Sequence, residues 1–267
     1  MHVPDKGLVN ALGEAVLEAS VKYFRADFSW KTFEQMEDEL RQQGVSRYAL
    51  LPVPNTRTNP DEDNKLTAER AQSSSSAIGF AWVDPLRDPL GTIKRALKLG
   101  LVNLKLHPTL QGVYPDHEAL VKVYQELSEV KGTVIIHTGT SGIGGGIKGG
   151  GGLRIGFSKP IPVDNVAAQF PDVNFVMAHF GWPWYNEAIA VALQKANVYL
   201  DLSGWDPKYI PQEVWTYART LLKTKILYGS DYPFVKPSRW VSSFEKIDLP
   251  QEVRQLITYG NAEALFS

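Results

Sequence analysis

The sequence predicts a parallel α/β barrel of the (β/α)8 kind, with its first strand absent or vestigial. Seven short apolar runs recur from residue 48 onward, and stretches of helical spacing lie between them. Several of the runs are continuous in Val, Ile and Leu rather than alternating. Strands covered on both faces have that character, as in a barrel or a doubly wound sheet. Seven strands are one short of a barrel. The helix-like "LVNALGEAVLEASVKYF" begins at Leu8 and leaves too little chain ahead of it for a full strand.

The runs, in order, are "YALLPVP", "AIGFAWV", "LVNLKLH", "TVIIHTG", "VNFVMAHFG", "VYLDLSG" and "KILYGSD". Between the first two, "NPDEDNKLTAERAQSSSS" is expected to be a polar surface segment. "DPLGTIKRALKLG" places Leu90, Ile93, Ala96 and Leu97 on one helical stripe, and "PQEVWTYARTLLK" does the same with Val214, Ala218 and Leu221. Pro211 suits a first helical turn, and Asp116 is the expected cap of a helix beginning at His117. No linker interrupts the pattern, so residues 1–267 are read as one domain.

Composition narrows the chemistry. With 43% hydrophobic residues, 21% charged residues and a net charge of −1, the chain has no bulk attraction for nucleic acid or anionic membrane. Its expected partner is a small molecule, with a homodimer as the other candidate. The absence of cysteine excludes disulfides, thiolate metal sites and a cysteine nucleophile. "MHVPDKGLVN" has no signal-peptide pattern and no apolar stretch is long enough to span a bilayer, so a cytoplasmic protein is expected.

In parallel α/β folds the reactive groups gather at the carboxyl ends of strands. Here "TVIIHTG" ends on His137, "VNFVMAHFG" on His179 and "KILYGSD" on Asp231. Alternation puts Ile135 with His137, Met177 with His179 and Gly229 with Asp231, so that all three polar groups point to one mouth. Singly, each is explained as a satisfied core or turn residue. Together, imidazole and carboxylate suit a divalent cation with an open position, Zn2+ first and Mn2+ as the alternative.

"VIIHTGT", "MAHFGWPW", "VYLDLSGW", "GSDYP" and "YGNAEALF" resemble, in that order, the amidohydrolase superfamily. The specific likeness is to the amidohydrolase-related group that includes metal-dependent decarboxylases of the aminocarboxymuconate-semialdehyde type. The resemblance implies a (β/α)8 barrel with one divalent metal. It implies that His137 is a metal ligand, that His179 activates bound water or substrate, and that Asp231 binds metal and shuttles a proton. The family opens on His-x-His or Glu-x-His, whereas Met1-His2-Val3-Pro4 matches only the second half. His2 is then either the remaining ligand or a terminal residue with no role.

Around this set, His107 in "LKLHP" is a candidate substrate contact. Lys105, two residues earlier, is expected to be an interior ion-paired or snorkelling lysine, or else a carbamylated bridging ligand. The glycine-rich "HTGTSGIGGGIKGGGGLRIGFSKP" lacks the ending of a phosphate loop and is expected to be a lid. Arg154 within it is a candidate for holding a substrate carboxylate, and Trp182 and Trp205 for lining a pocket for a planar compound. The leading expectation is a metal-dependent hydrolase of a small carboxylated or cyclic compound, aromatic ones included. A metal-dependent non-oxidative decarboxylase of a hydroxyaromatic or unsaturated acid is the alternative, and a metal-free binding module the third.

Overall fold

The computed structural model describes residues 1–267, with seven parallel strands in sequential order. They are β1 (Tyr48–Leu50), β2 (Ala77–Ala81), β3 (Asn103–Leu106), β4 (Thr133–His137), β5 (Asn174–Ala178), β6 (Val198–Asp201) and β7 (Ile226–Leu227). Each strand pairs with the next, and β1 and β7 do not pair with each other. The barrel is therefore incomplete. Residues 1–3 occupy the seam: Leu51 N–H donates to the Met1 carbonyl at 2.9 Å, and His2 N–H donates to the Tyr232 carbonyl at 2.8 Å.

Alternation sorts the strand residues into two layers. Leu104, Leu106, Val134, Ile136, Phe175, Met177 and Leu200 join the large outer core beneath the helices. Phe80, Ile135, Val176, Ala178 and Leu227 form a separate inner cluster, against which Phe266 of the chain terminus packs. The inner parity continues to Lys105 on β3, to His107 just beyond it and to His137 on β4. Burying a Leu- or Ile-sized side chain in either layer contributes about 1.5–3 kcal/mol.

The sequence expectations need correction at several places. Residues 8–24 form two helices, Lys6–Leu12 and Glu14–Phe24, broken at Gly13, whose φ of 83° suits a residue without Cβ. The polar segment after β1 is a 13-residue helix, Pro60–Gln72, capped by Asn59. Its buried face carries Asn64, Thr67 and Ala68 rather than large apolar groups, which hides it from a hydrophobic-periodicity reading. Asn64 replaces apolar contact with two hydrogen bonds to the Trp82 backbone, each 2.9 Å.

Capping differs as well. His117 itself caps the helix Glu118–Glu129 through Nδ1, while Asp116 accepts from Asn165. Pro211 is the cap of the helix Gln212–Arg219, which ends before Leu221 and leaves that residue exposed. No helix is long and apolar enough to cross a membrane.

Candidate active site

The carboxyl ends of the strands surround a cavity of about 280 Å3, reached by His2, Lys105, His107, His137, His179 and Asp231. His137 arrives by simple alternation from Ile135. His179 does not. Met177 faces the outer helical layer, so continued alternation would turn His179 outward as well. The backbone at His179 instead takes φ 63°, and that left-handed residue turns the imidazole back toward the mouth. Asp231 is also left-handed, at φ 66°. A non-glycine residue there costs of order 1–3 kcal/mol and persists only where its surroundings enforce it.

Those surroundings are visible. Asp201 Oδ1 accepts from the His179 amide at 3.2 Å, from the Ser203 amide at 2.8 Å and from the Ser203 hydroxyl. Thr138 Oγ1 donates to the Ala178 carbonyl at 2.6 Å, fixing the residue just before the turn. His179 Nδ1 lies 2.9 Å from the Ser203 carbonyl, so in the neutral ring Nδ1 carries the proton and Nε2 is the free acceptor. Gly204, at φ 74°, makes room: a Cβ there would stand 2.9 Å from His179 Nδ1 and 3.6 Å from Asp231 Oδ2.

The imidazoles form one aromatic group. His107 stacks on His137 with centroids 3.9 Å apart and planes 9° apart, and His137 meets His179 at 4.7 Å and 60°. Burial pushes the His107 and His137 rings well below the usual histidine range, with the neighbouring cationic groups adding to the effect, so both are neutral at pH 7. The Leu110 amide points at His107 Nδ1 at 3.4 Å, which leaves the proton on Nε2. His2 donates through Nδ1 to the Leu51 carbonyl at 2.9 Å, and its Nε2 faces Asp231 Oδ1 at 3.6 Å. Burial opposes ionisation of Asp231, but His2 facing it and the nearby positive groups outweigh that and hold the carboxyl below its ordinary range.

The donor set fits a divalent cation in kind. His137 Nε2 is buried without any hydrogen-bond partner, and His2, anchored through its other nitrogen, presents Nε2 to a carboxylate. No three His, Asp or Glu side chains stand close enough to form a closed shell as they are.

The structure separates the other candidates. Trp205 lines the cavity, and Trp182 packs against it at 4.8 Å between centroids. Arg154 is exposed, stacked over Phe157 and away from the lining. The start of the glycine-rich loop, from Thr140 to Ile143, forms one wall, and its Gly142 abuts Phe24. Lys105 has no ion-pair partner within 4 Å, which removes the ion-paired form of the expectation; only the more distant charges of Asp201 and Asp231 support it. Sequence reasoning also missed Phe24, Phe234 and Arg239 at the mouth. Lys105 had a signal, its shared parity with His107, whereas Arg239 lies on the helix Pro237–Phe244 and had none.

A parallel barrel with its polar groups gathered at the carboxyl strand ends defines the class of protein. A family model described as amidohydrolase matches residues 2–267, and the chain belongs to that family. An uncharacterised TIM-barrel protein from Bordetella bronchiseptica has the same fold at TM-score 0.82 and 21% identity, with 99% of this chain and 95% of that one covered. 2,6-Dihydroxybenzoate decarboxylase from Rhizobium matches at TM-score 0.70 and 15% identity over 100% and 96% of the two chains. The 5-carboxyvanillate decarboxylase of Novosphingobium aromaticivorans, solved with bound manganese and a nitrobenzoic acid, matches at TM-score 0.67 and 19% identity over 98% and 89%. The protein fluG of Emericella nidulans is 29% identical over 100 residues; the match takes in 36% of this chain and spans only 12% of fluG.

Proposed function

We propose that the protein is a metal-dependent, non-oxidative decarboxylase of a small hydroxyaromatic or unsaturated carboxylic acid. The observation that carries this reading is the convergence of His107, His137, His179 and Asp231 on one cavity walled by Phe24, Trp205 and Phe234. At about 280 Å3 the cavity lies at the small end of ligand sites and suits a single-ring compound. The fold is shared with decarboxylases of hydroxybenzoates, which favours loss of CO2 over the hydrolysis expected first.

His137, Asp231 and His2 would hold the cation, which when bound supplies Lewis-acid polarisation of a substrate oxygen. With Nδ1 bonded to the Ser203 carbonyl, the His179 ring offers Nε2 for exchange of a phenolic or water proton, and Asp201 with Ser203 fixes its direction. The aromatic walls orient a ring and exclude water from it. When the C–CO2 bond breaks, its electron pair stays on the ring carbon, which must then be protonated. A proton accepted at His179 is in position to be returned there.

Hydrolysis is the second reading, favoured by the same free Nε2, which would serve equally to deprotonate an attacking water. Incubating the Mn2+- or Zn2+-supplemented protein in 18O-water with a panel of hydroxybenzoates, unsaturated acids and lactones separates the two. Release of CO2 with no 18O in the remaining product is the expected result. Incorporation of 18O without CO2 would establish hydrolysis instead, and neither outcome across the panel would favour a binding module.

A further inference from the structure

The reaction above leaves Lys105 without a task. Its side chain is buried, with 4% of the residue exposed, yet it borders the cavity. The carboxylates nearest it are engaged elsewhere. Asp201 accepts from the His179 amide and from Ser203, and Asp231 faces His2. An ammonium removed from water without a counter-charge is costly, and the cost falls when an anion enters beside it. His107, two residues further along the same face, directs its Nε2–H away from the helix it caps.

We propose that Lys105 Nζ and His107 Nε2–H together form an anion subsite on the cavity floor, which takes a carboxylate or phenolate oxygen of the ligand. Burial brings the lysine down to about 8, which leaves it charged at pH 7. Neither Lys105 nor His107 is among the cation donors, so the subsite selects ligands by their negative charge even when no cation is present. Arg154, exposed on the loop, is not needed for this task. The inference rests on the reading above only for the aromatic-acid class of the ligand.

The test uses the full-length protein after dialysis against EDTA, with benzoate as probe and benzyl alcohol as its uncharged counterpart, followed by calorimetry. Benzoate is expected to bind and benzyl alcohol to bind at least tenfold more weakly. Lys105→Met is expected to lower benzoate affinity by roughly 10- to 100-fold, the range for a hydrogen bond to a charged group. Lys105→Arg is expected to recover much of it. A crystal structure of the wild-type complex is the arm that needs no variant; a carboxylate oxygen within about 3.2 Å of Lys105 Nζ is expected. Equal binding of the two probes, unchanged affinity in folded Lys105→Met, a carboxylate seated elsewhere, or a carbamate on Nζ would each overturn the proposal. These readouts involve no turnover. Failure of every acid to react would therefore remove the decarboxylase reading and leave the subsite standing.

Discussion

Gly204 lies so close to His179 that a methyl group on its α-carbon would stand 2.9 Å from the imidazole Nδ1. The contact falls on the nitrogen that bonds to the Ser203 carbonyl, so the ring cannot yield without losing its orientation. Gly204→Ala also places a Cβ on backbone at φ 74°. We expect a loss of about 1–2 kcal/mol in urea unfolding. Turnover should fall by at least tenfold, measured against a Gly44→Ala control, where a Cβ meets nothing within 4 Å.

Asp201 is expected to act through His179 rather than on the ligand. Asp201→Ala removes the acceptor for two amides and a hydroxyl. Each donor left unpaired away from water costs about 1–3 kcal/mol. The expected signature is a destabilisation of about 2 kcal/mol or more, with kcat reduced more than ligand affinity. A fall in affinity alone would contradict a positioning role.

Lys105 predicts an opposition between stability and binding. Its folded-state pKa is about 8, below the ordinary lysine value of 10.5 that applies to the unfolded chain. Below pH 8 both states hold the proton, and the native state bears the full cost of the buried charge. Between about 8 and 10.5 the native lysine releases its proton first, so the unfolded state binds more protons and stability rises with pH. Lys105→Met should be more stable than wild type at pH 7 by up to about 3 kcal/mol, and the difference should shrink as pH approaches 10.5. Denaturant midpoints of both proteins from pH 7 to 10 check this; a constant difference would refute it.

Metal removal provides the fourth prediction. Dialysis against EDTA should abolish turnover, and Mn2+ or Zn2+ should restore it. His137→Ala, which deletes the unpartnered Nε2, should weaken Mn2+ binding by more than about tenfold in EPR titration. Activity that survives EDTA unchanged would remove the cation from the proposed reaction.

Much of the barrel was legible because its strands carry their own signal, continuous β-branched and aliphatic runs that need no knowledge of neighbours. His137 was readable from parity alone. His179 was placed at the mouth by an alternation that the structure contradicts, since the left-handed backbone after Ala178 reverses it and is held there by Asp201 and Ser203 from the next strand. The helix Pro60–Gln72 escaped notice because hydrogen bonding by Asn64 stands in for hydrophobic contact. Phe24 and Phe234 reach the cavity through packing between segments far apart in sequence, with rings 4.9 Å apart. No local pattern encodes such a meeting.

The helix that was missed can be tested in turn. Asn64→Ala leaves a buried Trp82 amide and carbonyl without partners and should cost about 2–4 kcal/mol in thermal or urea unfolding. Substitution of exposed Glu62 on the same helix should change stability by less than about 0.5 kcal/mol.

The seam filled by residues 1–3 makes this barrel a split ring. A closed ladder would fix the circumference, but here the gap between the first and last strands is spanned by a short peptide whose main chain makes two hydrogen bonds to Ala49 and Leu51 on one side and one to Tyr232 on the other. His2, within that peptide, is anchored to Leu51 on one side and faces Asp231 on the other, so any ion gripped by both also clamps the ring shut. Hydrogen exchange at the amides of Leu51 and His2 should slow when such an ion is added, a mechanical readout of occupancy that needs no substrate.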